Sequence, residues 1–519
     1  MRIDRAIRPL ALFSICLIVF LTACSRKETV SKPGPTEKAK VTVNWEKVVT
    51  VSKTTPTLQV VVNPPLRRGT KIHDRVFQAL HELGADYVRY VPWLPYPKLG
   101  VAELEPPQDG KTSWDFSLID PMMEDFMNAT ARHSVIVNFS TIPQWMFKTE
   151  KPVPYPADPD QVTWDYEQGT ELRDASLKEV GDYYGRLVSW YTKGGFTDEY
   201  GKRHESGHHY KINYWEVLNE IDLEHQMSPE TYTRVYDAIV SSIRQVEPQM
   251  KFIGMAFAGT SPTLYLKEDV PGYFEYFLNP KNHKPGIPVD MISYHFYVLP
   301  AADQSPEVEQ YTFFEQAAGM LNSVRYIDSI RQHLSPNTQI DIDEIGSISA
   351  DDFEQEKPGH VTKPIPDSYW NLCGAYYGLM YGELARFGIV AAGESQIVGY
   401  PSWFPSVSLV DWNTGQPNAR FWVLKLLHDN LGPGDKLVDT TSAIPYVYAQ
   451  GFVTRDGKRK LLLVNERDRN FDLSIAGSNG AEIGYVDQTT GFQPPATAHL
   501  DADQITLRGL GVAVVTLPK

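Results

Sequence analysis

The chain has 519 residues, 42% of them apolar and 22% charged, enough to bury a large core and hold two or three domains. Its net charge of −15 argues against nucleic acid or an anionic membrane surface as a partner. Aromatic residues reach 12%, with 11 Trp and 28 Tyr, which suits either a large core or stacking platforms for ring-shaped ligands.

The N-terminus reads as an export signal. Arg2, Arg5 and Arg8 precede a short apolar run from Leu10 to Leu21, too short for a spanning helix. Leu21-Thr22-Ala23-Cys24 resembles a bacterial lipobox, which makes 1–23 a lipoprotein signal peptide and Cys24 the lipidated residue. Ser25 fits the outer-membrane sorting pattern, so the expected location is the cell envelope, lipid-anchored at the outer membrane or facing the periplasm. Removing residues 1–23 takes away a net +2 and leaves −17. After processing only Cys373 remains besides Cys24, so no intrachain disulfide is available. Residues 24–40 are polar and carry Pro33 and Pro35, the composition of a flexible tether. Residues 41–57 alternate like a strand that could join a C-terminal sheet.

Residues 58–432 alternate between strand-like and helix-like segments. Strands are expected at Leu58–Val62, Asp86–Val91, Ser134–Phe139, Ile212–Leu218, Lys251–Met255, Val289–His295, Thr338–Asp343 and Ile389–Gly393. Helical periodicity falls between them at Lys71–Leu83, Ala175–Thr192, Pro229–Val246, Glu315–His333 and Tyr369–Arg386, with Asn418–Leu431 closing the series. This pattern predicts an α/β fold, a (β/α)8 TIM barrel, with a doubly wound sheet as the alternative. Residues 433–519 lack helical periodicity. Runs at Ala443–Tyr448, Lys460–Asn465, Phe471–Ile475, Ala481–Val486 and Gln504–Leu517, with a turn at Asp456-Gly457, predict an accessory β-sandwich.

Two stretches carry the chemistry. Tyr214-Trp215-Glu216-Val217-Leu218-Asn219-Glu220 and Gln339-Ile340-Asp341-Ile342-Asp343-Glu344 are apolar runs ending on a glutamate. In a barrel, functional residues sit where strands end and βα loops begin. Strands four and seven would therefore bring Glu220 and Glu344 towards each other across the mouth. Two carboxyl groups flanking a glycosidic bond are sufficient to cleave it, one as acid and the other as nucleophile or base. Asp343 is the competing nucleophile, although strand alternation turns it towards the helices unless a bulge re-aims it. Glu216 shares the parity of Glu220 and, if buried, needs a partner such as Arg89.

Trp215-Glu216-Val217-Leu218-Asn219-Glu220, Asp343-Glu344 and Ser228-Pro229-Glu230-Thr231-Tyr232 together resemble a clan A glycoside hydrolase, closest to family 39, over about residues 58–519. One departure is Ile221, where that family usually has proline. The resemblance implies a retaining glycosidase with Glu220 as acid/base and Glu344 as nucleophile. It also implies that Asn219 hydrogen-bonds the sugar 2-hydroxyl and that Tyr297 steadies the nucleophile. His295, Arg89 and Asn138 at strand ends, and Trp145 and Trp403 in the loops after strands three and eight, complete the candidate substrate-binding set.

The expected partner is an oligosaccharide or polysaccharide, with membrane contact only through the lipid. The pair His208-His209 falls on the far end of the barrel. There is no CxxC, HExxH, GxGxxG or GxSxG, so no metal or other cofactor is implied. The βα loops offer Lys98, Lys148, Lys151, Lys357 and Lys363 and, on this reading, no arginine, which favours a neutral sugar over a uronate. Two other functions remain open on sequence, a sugar-binding lipoprotein that no longer catalyses and a transglycosylase.

Overall fold

The computed structural model describes residues 37–151, 153–163, 166, 169–259, 269–300, 304–354, 360–361, 363–399 and 404–518. The signal peptide, Cys24, most of the tether, Lys357 and Trp403 lie outside the described residues.

In chain order the elements begin with β1 (Glu37–Val51), β2 (Thr55–Val62), α1 (His73–Leu83), β3 (Val88–Pro92), α2 (Asp120–Ala129), β4 (Val135–Val137) and α3 (Lys178–Thr192). They continue with β5 (Gly195–Thr197), β6 (Arg203–Glu205), β7 (Tyr214–Val217), α4 (Pro229–Val246), β8 (Lys251–Phe257), α5 (Asp269–Leu278), β9 (Met291–Val298) and α6 (Pro306–Leu334). Then come β10 (Gln339–Ser347), α7 (Asp367–Phe387), β11 (Ala391–Glu394) and α8 (Ala419–Asn430).

Strands β2, β3, β4, β7, β8, β9, β10 and β11 close into an eight-stranded barrel, and every neighbouring pair is parallel. The molecule is a (β/α)8 barrel. Its strands are continuous apolar runs because both faces are covered, as with Val60-Val61-Val62 and Val135-Ile136-Val137. Helix α4 shows how the outer ring is specified. Ser228 Oγ caps it by accepting the Thr231 amide at 3.2 Å, Pro229 fixes its first turn, and Tyr232, Val235, Tyr236, Ile239, Val240 and Ile243 form its buried stripe.

The eight alternations also call for helices after β3 and β8, and these are α2 and α5. Helix α6 starts nine residues before the expected Glu315, at Pro306.

The remaining strands are β12 (Lys436–Ser442), β13 (Val447–Val453), β14 (Arg459–Asn465), β15 (Phe471–Ile475), β16 (Glu482–Val486), β17 (Ala496–His499), β18 (Gln504–Leu507) and β19 (Val512–Thr516). With β1 they form one nine-stranded sheet, in which β1 pairs antiparallel with β12 and parallel with β15. Leu473 and Leu507 from one end of the strand order share a core with Leu461, Ile483 and Val515 from the other, so the sheet curls over itself. The alternate residues Leu462, Val464, Val512 and Val514 join the main core instead. Valines 464 and 512 pack against Gly378 of α7, where any Cβ would lie 3.1–3.4 Å from their methyl groups. The expected run Ala443–Tyr448 is mainly the turn between β12 and β13, because Pro445 cannot serve a ladder. Gln504–Leu517 is two strands split by a turn in which Leu510 has φ 52°.

Among the described residues no helix is long and apolar enough to cross a membrane. The β5–β6 hairpin and His208 belong to the α3-to-β7 connection, and His208 Nε2 lies 3.3 Å from Asp120 Oδ2.

Candidate active site

Glu220 lies three residues beyond β7, the fourth barrel strand. The chain kinks there: Leu218 has φ 65° and Glu220 has φ 42°, a left-handed region that non-glycine residues rarely occupy. The Glu220 amide is held by the Ala256 carbonyl at 2.9 Å, which fixes the kink against β8. Such backbone outliers concentrate at functional sites.

Glu344 lies in β10, the seventh strand. The pairing of β10 with β9 slips between Asp341 and Glu344, and its pairing with β11 slips between Ile342 and Ile345. This bulge overturns the expected strand alternation. Asp343 turns inward, 3.0 Å from Arg89 Nε and 3.6 Å from His295 Nε2, instead of towards the helices. Gly393 permits it, since a Cβ there would sit 2.7 Å from the Asp343 carbonyl oxygen.

Arg89, at the second residue of β3, organises the centre and is 1% exposed. Its Nε donates to Glu216 Oε2 at 2.5 Å, its NH1 to Gln59 Oε1 and Glu344 Oε1, both at 2.7 Å, and its NH2 to Asn219 Oδ1 at 2.6 Å. The guanidinium thus spends nearly all of its five donors inside the barrel. Glu216 also accepts from Asn138 Nδ2 at 2.8 Å and from Ser293 Oγ at 2.5 Å. Burial nonetheless pushes its carboxyl up to about 7, with Arg89 opposing and Asp343 reinforcing the shift. Asp343, equally buried, is held below its ordinary value by Arg89 and His295.

Both oxygens of Glu344 are fixed. Arg89 holds Oε1, and the Tyr297 hydroxyl donates to Oε2 at 2.5 Å. Gly346 leaves room for that ring, as a Cβ there would lie 2.8 Å from it. Burial and the adjacent carboxylate drive the Tyr297 phenol well above its ordinary value, so it stays a donor. His295 Nδ1 lies 3.0 Å from Glu220 Oε1 and 3.5 Å from Glu344 Oε2. Burial disfavours the imidazolium, but Glu344 and Asp343 outweigh it and raise the histidine well above its usual value.

Glu220, His295 and Glu344 each present an atom within 4.8 Å of the others, a set that could hold a metal ion by spacing alone. The donor chemistry argues against it. Without an ion, the charges of Glu344 and Asp343 favour a protonated His295, which offers no lone pair, and Arg89 and Tyr297 each already donate to one Glu344 oxygen.

The two glutamates open into one cavity of about 390 Å³ at the C-terminal ends of the strands, with side-chain exposures of 15% for Glu220 and 8% for Glu344. Asn219, Tyr297, Gln59 and Gln396 supply its other polar groups, and Val61, Val91, Trp93, Leu223, Leu299, Ile348, Phe353, Phe404 and Val407 its apolar wall. The aromatic walls Trp93, Phe353 and Phe404 lie in loops whose sequence shows no periodicity, and Gln59 and Ser395 gave no signal either. Ser395 Oγ accepts from Gln59 at 2.9 Å and meets the Tyr297 hydroxyl at 2.5 Å.

Trp145 does not reach this cavity. Its indole nitrogen donates to the Glu103 carbonyl at 2.8 Å, the Arg173 guanidinium covers its ring at 4.5 Å, and it lines a separate hollow of about 580 Å³. Arg173 also corrects the expectation that the βα loops hold no arginine, as do Arg67 and Arg68. Each is paired with a carboxylate, Arg173 with Glu179, Arg67 with Asp160 and Arg68 with Asp125, and none lines the cavity.

A closed parallel barrel with two glutamates facing each other across its mouth is the build of a glycosidase. The chain belongs to the glycosyl hydrolases family 39, whose model matches residues 30–360. It is similar in fold to a family 51 arabinofuranosidase from Xanthomonas axonopodis pv. citri, at 11% identity and a TM-score of 0.63, covering 93% of this chain and 100% of that one. A family 51 α-L-arabinofuranosidase from Bifidobacterium longum superposes at 14% identity and a TM-score of 0.62, covering 94% and 100%. A family 30 endoxylanase from Clostridium papyrosolvens C71 does so at 14% identity and a TM-score of 0.55, covering 92% and 100%. At such identities the likeness shows the fold alone. A comparison with curated proteins returns no match.

Proposed function

We propose that this glycosidase works by double displacement, with Glu344 attacking the anomeric carbon and Glu220 first protonating the leaving oxygen and then activating water. The observation that carries the reading is the spacing of the pair. An oxygen of Glu220 lies within 4.8 Å of an oxygen of Glu344. Retaining pairs stand about 5–5.5 Å apart, whereas inverting pairs need about 6.5–9.5 Å to admit a water.

The two environments suit the two roles. Glu344 receives hydrogen bonds from Arg89 on one oxygen and from Tyr297 on the other, which hold its carboxyl group in one orientation for attack. Glu220 is the more exposed of the two and can meet a leaving group at the cavity mouth. The same covalent intermediate would serve a transglycosylase, with a sugar hydroxyl in place of water. Among the described residues lining the cavity there is no lysine or arginine, and Arg89 is spent, which favours a neutral sugar over a uronate. Turnover of 4-nitrophenyl glycosides of neutral sugars is expected, and a chain that binds but never cleaves them is the non-catalytic alternative.

We also propose anchoring through lipidated Cys24, on the strength of Leu21-Thr22-Ala23-Cys24. The wild-type protein is expected in the detergent phase and Cys24→Ser in the aqueous phase. Finding both in the aqueous phase would remove the anchor.

A further inference from the structure

The loop that delivers Glu220 carries a third carboxyl group that the mechanism does not use. Glu224 lies one helical turn on, and its amide donates to the Glu220 carbonyl at 2.7 Å. One of its oxygens, Oε1, accepts from two groups that line the cavity. These are Asn219 Nδ2, at 3.0 Å, and the indole nitrogen of Trp93. The other oxygen, Oε2, is buried without a hydrogen-bond partner. Burial and the neighbouring Glu220 raise this carboxyl well above its ordinary value.

The opposite end of the Asn219 amide is held as well. Arg89 NH2 donates to Oδ1 at 2.6 Å. A guanidinium only donates, so it selects the amide oxygen. Glu224 Oε1 accepts, so it selects the amide nitrogen. Together they fix which way round the amide lies. One Nδ2 hydrogen is spent on Glu224, and the second is left for the cavity.

We propose that Glu224 is a positioning residue that, with Arg89, locks Asn219 as a hydrogen-bond donor to the sugar hydroxyl beside the anomeric carbon. This rests on the double-displacement reading, because that reading puts the anomeric carbon between Glu220 and Glu344. That Asn219 meets the sugar 2-hydroxyl is what the family resemblance implies; the added element is Glu224, which with Arg89 sets the orientation of the Asn219 amide. Glu224 also ties Trp93 to the same oxygen, which couples one apolar wall to the donor that reads the sugar.

The test compares wild type, Glu224→Gln and Glu224→Leu on the best 4-nitrophenyl glycoside from a screen of pentosides and hexosides, and on its 2-deoxy counterpart. Glu224→Leu removes the acceptor and is expected to lower kcat about 10- to 100-fold on the parent glycoside, the scale of losing one oriented donor, while KM changes little. On the 2-deoxy glycoside the same variant should match wild type within about threefold, because the contact it supports is already absent. Glu224→Gln keeps a carbonyl oxygen in place and should retain near wild-type rates and the full 2-deoxy penalty. An equal loss for Glu224→Leu on both substrates, or a loss in Glu224→Gln as deep as in Glu224→Leu, would overturn the proposal. A crystal structure of Glu224→Leu gives a readout that needs no turnover. A displaced Asn219 amide is expected, and an amide unmoved in that structure would overturn the proposal even if no glycoside were cleaved.

Discussion

Glu344→Gly is expected to lose nearly all turnover, because no covalent intermediate can form without its carboxylate. The loss should be about 10⁵-fold or more in kcat, the scale of removing an enzymatic nucleophile. The site around it should persist. Arg89 keeps Glu216, Gln59 and Asn219, and Tyr297 keeps Ser395. The space vacated is bounded by an arginine and a phenol, both donors, so azide or formate should enter it. Azide should restore part of the activity and give a glycosyl azide of opposite anomeric configuration, since it attacks from the nucleophile's side. Glu220→Ala should behave differently, keeping its first step on aryl glycosides with good leaving groups, which need little protonation. Azide should then give product of retained configuration. The bulge in β10 makes Asp343 a specific rival. If Asp343→Ala were rescued by azide with inversion while Glu344→Gly kept full activity, the nucleophile would be Asp343.

Arg89→Leu is expected to be the most destabilising single change in the barrel interior. It leaves Glu216, Asp343 and Glu344 buried without their shared cation. Breaking a buried pair by removing one partner costs about 3–5 kcal/mol, and here three carboxylates lose the same one. Thermal unfolding should shift down by several degrees or more, read by calorimetry at matched concentration. The loss should be smaller at low pH than at neutral pH, because the orphaned carboxyl groups can then protonate and stop repelling one another. A variant as stable as wild type across that range would show that the central charges are not held by Arg89. Turnover should fall as well, since Arg89 orients both Glu344 and Asn219.

Much of the barrel was legible because its strands are apolar on both faces and its long helices carry an uninterrupted stripe. Helix α4 matches its expected span because Ser228-Pro229 marks its start. The turn at Ala443–Tyr448 was hidden by a strand-like composition around Pro445. The two glutamates were found because each ends an apolar run. The orientation of Asp343 was not, because a bulge is set by the pairing of neighbouring strands and by room at Gly393, neither of which a local pattern records. Trp145 looked like a sugar platform by composition and loop position, but a single indole can be satisfied elsewhere, here by the Glu103 carbonyl and Arg173. Trp93 and Gln59 gave no signal because their partners, Glu224, Arg89 and Ser395, lie on or beyond other strands.

On the double-displacement reading Glu220 and Glu344 act as an acid and a nucleophile, not as an acid and a base. The most direct test is proton NMR of the wild-type reaction, started with an aryl glycoside of known anomeric configuration and followed before mutarotation sets in. The first anomeric signal to appear should be that of the starting configuration, in the released sugar or in a methyl glycoside when methanol is present. A first product of opposite configuration would contradict that reading, and would make the pair an acid and a base acting on water.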